Sequence, residues 1–205
     1  MKPRKLKTYL KKGIIEAGCD EAGRGCLAGP VYAAAVILPR GFRHKTLTDS
    51  KLIDEKTRYA LRDEIEKKAL GWSVAWVDNQ KIDEINILNA SFLAMHLAVK
   101  QLKIKPQLLL IDGNRFKEYP GIPHECIIKG DSLYYSIAAA SILAKTYRDD
   151  YMRKLHEEFN GYGWHTNKGY ATKFHREAVI RIGMSPYHRK SFHLKELQLQ
   201  LEFKE

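Results

Sequence analysis

The sequence contains few cysteines and no long apolar run. Three of its 205 residues are cysteine, a sparse and odd set that argues against a disulfide framework and for a reducing compartment. These cysteines lack the paired CxxC spacing of a zinc site. No stretch approaches the ~18 consecutive apolar residues of a membrane span. No apolar stretch follows the basic N-terminus before Lys11 and Lys12, as a signal peptide would require. We therefore expect a cytoplasmic protein that is neither secreted nor inserted in a membrane.

Basic residues are in excess. The chain has 35 Lys and Arg against 24 Asp and Glu, which gives a formal net charge of +11. This surplus fits a polyanionic partner, although charge alone does not separate nucleic-acid binding from simple solubility. Residues 1–12 contain six basic residues and no acid. This leader is predicted to be a flexible basic arm that lies along phosphates, or a frayed terminus without a role.

Strand and helix patterns alternate along the chain. The apolar and β-branched run 31–38 predicts a strand that is buried on both faces. Further strands are predicted at 14–20, 71–78, 107–112 and 125–129. Helices are predicted at 54–70, at 82–102 as one long helix or a broken pair, at 132–159 and at 172–182. Without repeats or a low-complexity linker, the pattern indicates one α/β domain over 13–192, preceded by the leader 1–12 and followed by a C-terminal helix or tail, 193–205.

Acidic residues end three of the predicted strands. Asp20 and Glu21 follow the first, Asp112 the fourth and Asp131 the fifth. A charge at the buried end of a strand costs free energy unless it is compensated, and carboxylates that converge repel one another. Each acid alone could be a cap or a turn residue. As a set in a basic protein they favour a site for hard divalent cations, a pair of which could hydrolyse a phosphodiester.

A glycine-rich turn follows the first two acids. Gly23, Arg24 and Gly25 could bring backbone N–H and C=O groups close to a ligand and read a sugar hydroxyl, which is both donor and acceptor. An ordinary loop is the alternative.

These residues belong to a longer pattern. The stretch Cys-Asp-Glu-Ala-Gly-Arg-Gly-Cys-Leu-Ala-Gly-Pro-Val (19–31) resembles the opening motif of the ribonuclease HII family, the type 2 ribonucleases H. Further matches follow in the family's order, at 48–51, 111–113, 129–131, 136–145, 167–170 with His175, and 188–192. The resemblance extends from about residue 14 to residue 192.

The resemblance implies a ribonuclease H-like α/β fold, with a central mixed five-stranded sheet flanked by helices. It implies an endoribonuclease that hydrolyses the RNA strand of RNA–DNA hybrids and cuts 5′ of ribonucleotides embedded in duplex DNA. The expected cofactor is Mg²⁺ or Mn²⁺, used in pairs, and the expected products carry 3′-hydroxyl and 5′-phosphate ends. The resemblance also suggests a monomer.

The resemblance assigns roles residue by residue. Asp20, Glu21, Asp112 and Asp131 look like the metal-binding catalytic set. Gly23, Arg24 and Gly25 look like the backbone reader of the 2′-hydroxyl, and Tyr170 like the aromatic side chain that contacts the ribonucleotide and stacks on the neighbouring sugar. Four basic residues are expected either to contact phosphates or simply to be solvated, namely Lys51, Lys145, Lys168 and Arg189.

Alternatives remain at this point. A junction resolvase of the same fold or a catalytically silent hybrid-binding protein would share many of these features, but pure binding has no use for four repelling carboxylates. The segment Gln198–Phe203 resembles the short peptides that dock on bacterial sliding clamps. The alternative, which the leucine spacing favours, is an amphipathic helix that packs on the domain through Leu194, Leu197 and Leu201.

Overall fold

The architecture comes from a computed structural model, which describes residues 6–48 and 50–192. Asp49, the tail 193–205 and the clamp-like segment within that tail lie outside the described residues. The described strands are β1 (Glu16–Ala22), β2 (Val31–Ile37), β3 (Gly71–Val77), β4 (Leu108–Asp112) and β5 (His124–Ile127). They form one sheet in the order β3-β2-β1-β4-β5. The β1–β2 and β2–β3 pairs are antiparallel, whereas β1–β4 and β4–β5 are parallel. The predicted mixed five-stranded sheet is confirmed.

Helices cover both faces of this sheet. They are α1 (Glu55–Lys68), α2 (Asn79–Gln101), α3 (Tyr135–Glu158), α4 (Trp164–Asn167) and α5 (Lys173–Ile182), with short 3₁₀ helices at Ser50–Leu52, Gly130–Ser132 and Asn160–Tyr162. The sequence pattern did not predict α4 or the three 3₁₀ helices, which are too short for a helical periodicity to show. None of the described helices combines the length and apolarity needed to cross a bilayer.

Strand β2 is buried along its whole length, as predicted. Ala33 and Ala35 face the apolar layer that contains α2, whereas Ala34 and Val36 face the layer formed with α1 and α3. Because successive side chains of a strand point to opposite faces, a strand between two helical layers must be apolar at every position.

Helix α3 lies unusually close to β1. A Cβ atom on Gly18 would lie 2.2 Å from the carbonyl carbon of Ser136, so only glycine fits at that position. The small side chains Ala138, Ala139 and Ala140 are fully buried on the helix. These small residues let α3 pack closely on the sheet, which fixes its position against the strand that carries Asp20.

Helix α2 is the predicted broken pair. Asn86 has φ 64° and ψ 163° within it, which interrupts the helical backbone. With this ψ value Asn86 lies outside the left-handed helical region, in a conformation that is rare for residues other than glycine. Its side-chain oxygen accepts a hydrogen bond from the backbone N–H of Asn89 at 3.1 Å, so the second half of the helix begins with its own cap.

The described part of the leader differs from the expected flexible arm. Leu6 is buried in the apolar layer beside α3. The backbone N–H of Lys7 donates to Leu133 at 2.7 Å, and its carbonyl accepts from Tyr135 at 3.0 Å. An apolar side chain among the lysines can bury surface, and this contact docks residues 6 and 7 on the domain.

Candidate active site

Three of the four predicted acids line one cavity. Strands β1 and β4 are parallel neighbours whose register ends at Cys19 opposite Ile111, so the acids that follow reach the same edge of the sheet. The cavity has a volume of about 420 Å³. Its described lining is Asp20, Glu21, Ala22, Gly23, Arg24, Gly25, Ser50, Lys51, Asp112, Ser141, Lys145 and Tyr170.

The fourth acid, Asp131, is not among the described residues that line this cavity. It is buried in the 3₁₀ helix Gly130–Ser132, which follows β5. The preceding residue, Gly130, donates its backbone N–H to Oδ1 of Asp112 at 2.7 Å. Asp131 therefore directly follows Gly130, the residue that donates to the cavity carboxylate of Asp112.

The cavity carboxylates disfavour one another's ionisation. Burial raises the pKa of Asp20 well above its usual range, and the charges of Glu21 and Asp112 raise it further. Burial also raises the pKa of Glu21, against the guanidinium of Arg24, whose Nη1 lies 3.1 Å from Oε1. Asp20 Oδ1 accepts from the backbone N–H of Glu21 at 2.7 Å, and Ser141 also donates to the Asp20 side chain.

The donor set fits a hard divalent cation. Carboxylate oxygens are its preferred ligands, and its charge would offset the repulsion that raises these pKa values. Within residues 6–48 and 50–192, no three His, Cys, Asp or Glu side chains already stand in an arrangement that would hold one ion. The fit therefore rests on the chemistry of the donors and on their mutual repulsion.

The glycine-rich turn borders the carboxylates. Gly23 has φ +97°, and a Cβ atom there would lie 2.0 Å from Nε of Arg148, so the position requires glycine. At Gly25, a Cβ atom would have no heavy atom within 4 Å. The turn is thus packed against the protein on one side and open to the cavity on the other.

Tyr170 lies beside this turn. Its side chain is 40% exposed, and its backbone pairs with that of Cys26 in an isolated antiparallel bridge. The Nζ atom of Lys145 lies 5.7 Å from the ring centroid. Burial of the hydroxyl, with the neighbouring Cys26, raises the pKa of Tyr170 to about 12. The side chain is a neutral phenol at physiological pH, and the Lys145 ammonium lies over its ring.

Comparison with known proteins now identifies the family. The family model of ribonuclease HII matches residues 17–195. Ribonuclease HII of Bacteroides thetaiotaomicron is 65% identical over 199 residues, which are 97% of this chain and 100% of that protein. The chain belongs to the ribonuclease HII family. Relatives of this family are hydrolytic nucleases, so the protein is an endoribonuclease rather than a silent binding protein.

Solved structures agree on the fold. Ribonuclease H2 from Pyrococcus horikoshii superposes with a TM-score of 0.76 at 23% identity, covering 94% of this chain and 100% of that one. The ribonuclease HII of Archaeoglobus fulgidus, solved in a complex with PCNA, gives a TM-score of 0.72 at 26% identity and covers 89% of this chain and 96% of its own. The ribonuclease H-like fold is confirmed.

Two of the four predicted phosphate contacts lie in the cavity of this ribonuclease. Lys51 and Lys145 both line it. The ammonium of Lys145 lies 2.7 Å from a carboxylate oxygen of Asp149, a buried residue one helical turn further along α3. Each could still reach a phosphate from the cavity wall.

The other two predicted phosphate contacts, Lys168 and Arg189, are buried. Lys168 is buried, donates its ammonium to the carbonyl of His165, and is not among the described lining of the cavity. Burial lowers the pKa of its amine. The guanidinium of Arg189 is fully buried and donates to the carbonyls of Gly23 at 2.7 Å, Arg24 at 2.8 Å and Gly29 at 3.0 Å. Arg189 therefore supports the glycine-rich turn from beneath, and this burial is at odds with the predicted phosphate contact there.

Sequence reasoning missed Arg148. Its guanidinium is fully buried and donates to the carbonyls of Pro30, Lys168 and Ala28 at 2.8–3.1 Å. It therefore ties the segment after the glycine-rich turn to the loop that carries Tyr170. A signal was present, because Arg148 stands four residues before the buried Met152, on the face of the helix that the apolar pattern assigns to the core.

Proposed function

We propose that the protein is a monomeric endoribonuclease that hydrolyses the RNA strand of RNA–DNA hybrids and cuts 5′ of single ribonucleotides in duplex DNA. One observation carries the proposal. The carboxylates of Asp20, Glu21 and Asp112 share a cavity with the turn at Gly23–Gly25 and with Tyr170. Groups suited to phosphodiester hydrolysis thus stand beside groups suited to reading a ribose.

The carboxylates are the proposed metal ligands. Asp20, Glu21, Asp112 and Asp131 would hold divalent cations, Mg²⁺ or Mn²⁺. When bound, a pair of such ions activates a water and stabilises the leaving 3′ oxygen, which gives 3′-hydroxyl and 5′-phosphate ends. Bound cations would relieve the mutual repulsion of these carboxylates. Because the ligands must be deprotonated, the raised pKa values of Asp20 and Glu21 mean that cation binding releases protons and strengthens as pH rises.

The neighbouring groups determine which bond is placed at the carboxylates. The open backbone at Gly25 can approach a ribose 2′-hydroxyl, which deoxyribose lacks. The partly exposed ring of Tyr170 can stack on the adjacent sugar or base. Lys51 and Lys145 add positive charge on the same wall, where a phosphate next to the cut bond would lie.

One assay tests this function. The protein is incubated with Mg²⁺ or Mn²⁺ and three labelled substrates: a DNA duplex with one ribonucleotide, the matched all-DNA duplex and a four-way junction. We expect cleavage only in the first, with mass spectrometry showing a 3′-hydroxyl and a 5′-phosphate at the cut. Asp112→Asn is the inactive control. Cleavage of the junction alone, or of none of the three, would refute the proposal.

Tyr170 has its own test. Tyr170→Ala should lower kcat/KM at a single ribonucleotide by about fivefold or more, since base or sugar stacking on an aromatic ring is worth about 1–3 kcal/mol. Tyr170→Phe keeps the ring and should retain most of the activity. Equal kinetics for the parent and the Ala variant would remove the side chain from the site.

The clamp contact of Gln198–Phe203 remains a prediction, supported by the archaeal relative that was solved with PCNA. Deletion of residues 198–205 should reduce capture by the bacterial sliding clamp and leave cleavage of the ribonucleotide duplex unchanged. Unchanged capture would favour the alternative, a terminal helix that packs on the domain.

A further inference from the structure

Two buried histidines lie directly behind the loop that carries Tyr170. His175, in the first turn of α5, is fully buried, and His188 is 1% exposed. Their Nε2 atoms are 3.0 Å apart. The rings packed around the pair belong to Tyr162 and Trp164. Neither histidine lines the cavity or touches a proposed metal ligand, so the proposed reaction gives them no role.

Two neighbouring donors determine where the histidine protons are. The indole Nε1–H of Trp164, which can only donate, lies 3.1 Å from Nε2 of His175. That nitrogen must therefore accept, and the proton of a neutral His175 is on Nδ1. Nδ1 lies 2.9 Å from the carbonyl of Tyr170, to which it donates.

The same reasoning applies to His188. The backbone N–H of Ser185 donates to its Nδ1 at 2.9 Å, so the proton of a neutral His188 is on Nε2. This proton points at Nε2 of His175, whose single lone pair it shares with the indole N–H of Trp164. The hydrogen bonds form one directed chain from Ser185 through both imidazoles to the main chain of Tyr170. Burial lowers the pKa of both histidines, that of His188 to about 4, which agrees with two neutral rings.

The segment that contains His188 also contacts and supports the glycine-rich turn. The backbone of His188 forms an isolated bridge with Ala28, and the next residue, Arg189, donates to the carbonyls of Gly23 and Arg24. One short segment thus contacts both parts of the site that would read the ribonucleotide: the turn through Arg189, and the Tyr170 loop through His188 and His175.

From this geometry we infer that His188 and His175 form a hydrogen-bonded relay of neutral imidazoles that positions Tyr170 against the glycine-rich turn and so helps to determine selectivity for a ribonucleotide. They are positioning residues that touch neither the substrate nor the reacting atoms. The inference rests on the proposed role of Tyr170 in reading the ribonucleotide.

Substitution of His175 by asparagine or by glutamine tests the roles of its two ring nitrogens separately. The amide of His175→Asn stands where Nδ1 was and can still donate to the Tyr170 carbonyl. His175→Gln instead places its amide near Nε2, which keeps an acceptor for Trp164 and His188 but loses the donor to Tyr170. Loss of one neutral hydrogen bond corresponds to a factor of about 5 in an equilibrium. We expect kcat/KM at a single ribonucleotide to be about fivefold lower in the Gln variant than in the Asn variant. The Gln variant should nevertheless have the higher Tm, because it keeps the acceptor for both Trp164 and His188.

The experiment measures both variants with the parent, at a temperature where circular dichroism shows each one folded, and repeats the pair in a Tyr170→Ala background. In the Tyr170→Ala background, the Asn and Gln variants should have equal kcat/KM. A merely structural role would make activity follow stability, with Gln above Asn. Three results would each overturn the inference. They are a higher kcat/KM for Gln than for Asn, a difference between Asn and Gln that persists in the Tyr170→Ala background, and a Tyr170→Ala enzyme with the kinetics of the parent.

A spectroscopic measurement is independent of activity. Nitrogen-15 NMR of the histidine rings at pH 7 should show His175 protonated on Nδ1 and His188 on Nε2, both neutral. Opposite tautomers or a charged ring would overturn the relay. If the parent protein fails to cut the ribonucleotide duplex, the proposed function fails, and the tautomers still decide whether the relay exists.

Discussion

Arg189→Lys distinguishes a support beneath the active site from a phosphate contact. The guanidinium is fully buried and donates from three separate nitrogens to three carbonyls, two of them in the glycine-rich turn. Burial lowers the pKa of Arg189 to about 10, which leaves it charged at neutral pH. Lysine keeps the charge, but its donors radiate from a single nitrogen and cannot reproduce the fork.

The magnitude follows from the carbonyls that lose a partner. If the ammonium serves one of the three, two acceptors lose the arginine as a partner, and the loss of such a charge-assisted bond or the exposure of an unpaired buried acceptor costs about 1–3 kcal/mol each. The expected loss is therefore about 2–6 kcal/mol. In a domain of this size each kcal/mol corresponds to about 2–4 °C in Tm, so the variant should melt at least about 4 °C below the parent.

The assay is thermal unfolding followed by circular dichroism, with the same substitution at an exposed arginine as control. The side chain of Arg24 is 51% exposed and forms one ion pair, so Arg24→Lys should change Tm by no more than about 2–4 °C. A phosphate contact at Arg189 predicts the opposite outcome, because exchanging one cation for another at a surface site leaves the free protein equally stable. A Tm for Arg189→Lys equal to that of Arg24→Lys would refute the buried support.

Three further predictions concern the cavity. Asp20→Asn should abolish cleavage and leave the chelator-treated protein as stable as the parent or more so. Because the pKa of Asp20 is raised in the fold, the parent loses stability as pH rises from about 4 through that raised value. The difference in Tm in favour of the Asn variant should therefore grow as pH rises. Gly23→Ala should lower stability by about 1–3 kcal/mol or more in urea unfolding, whereas Gly25→Ala, with open space, should fold normally. Lys51→Met should reduce the slope of log binding constant against log salt by about 0.9 for the duplex, while Lys168→Met leaves it unchanged; equal slopes for both lysine variants would contradict this assignment.

The acids were predictable because their signal is local. A carboxylate near the end of a buried strand conflicts with the cost of burying charge, and Asp20, two residues before the end of β1, and Asp112, the last residue of β4, show this conflict within a few residues of sequence. The parallel pairing of β1 with β4 then brings the two strand ends together. Asp131 shared the pattern, but β5 ends at Ile127 and a separate 3₁₀ helix carries the acid, so its orientation depends on a turn that the pattern did not resolve.

The basic residues were harder to assign, because a lysine or arginine in a sequence shows charge and not its partners. The carbonyls that Arg189 binds lie some 160 residues away along the chain, and only the fold brings them near. Arg148 is similar, with partners that include Ala28 and Pro30. In a motif shared by a nuclease family, such an arginine resembles a phosphate contact until its burial is known.

This placement of charge changes how losses of activity should be interpreted. Three of the proposed metal ligands, Asp20, Glu21 and Asp112, belong to strands that are fixed by the sheet and by α3, whereas the elements proposed to read the ribonucleotide are loops. Loops require donors from elsewhere to hold their carbonyls, and Arg148 and Arg189 supply them from the interior. At least two units of the net charge of +11 are thus unavailable to a nucleic acid. An arginine substitution that lowers cleavage here is as consistent with a displaced loop as with a lost phosphate contact, and only a stability measurement made beside the kinetics separates them.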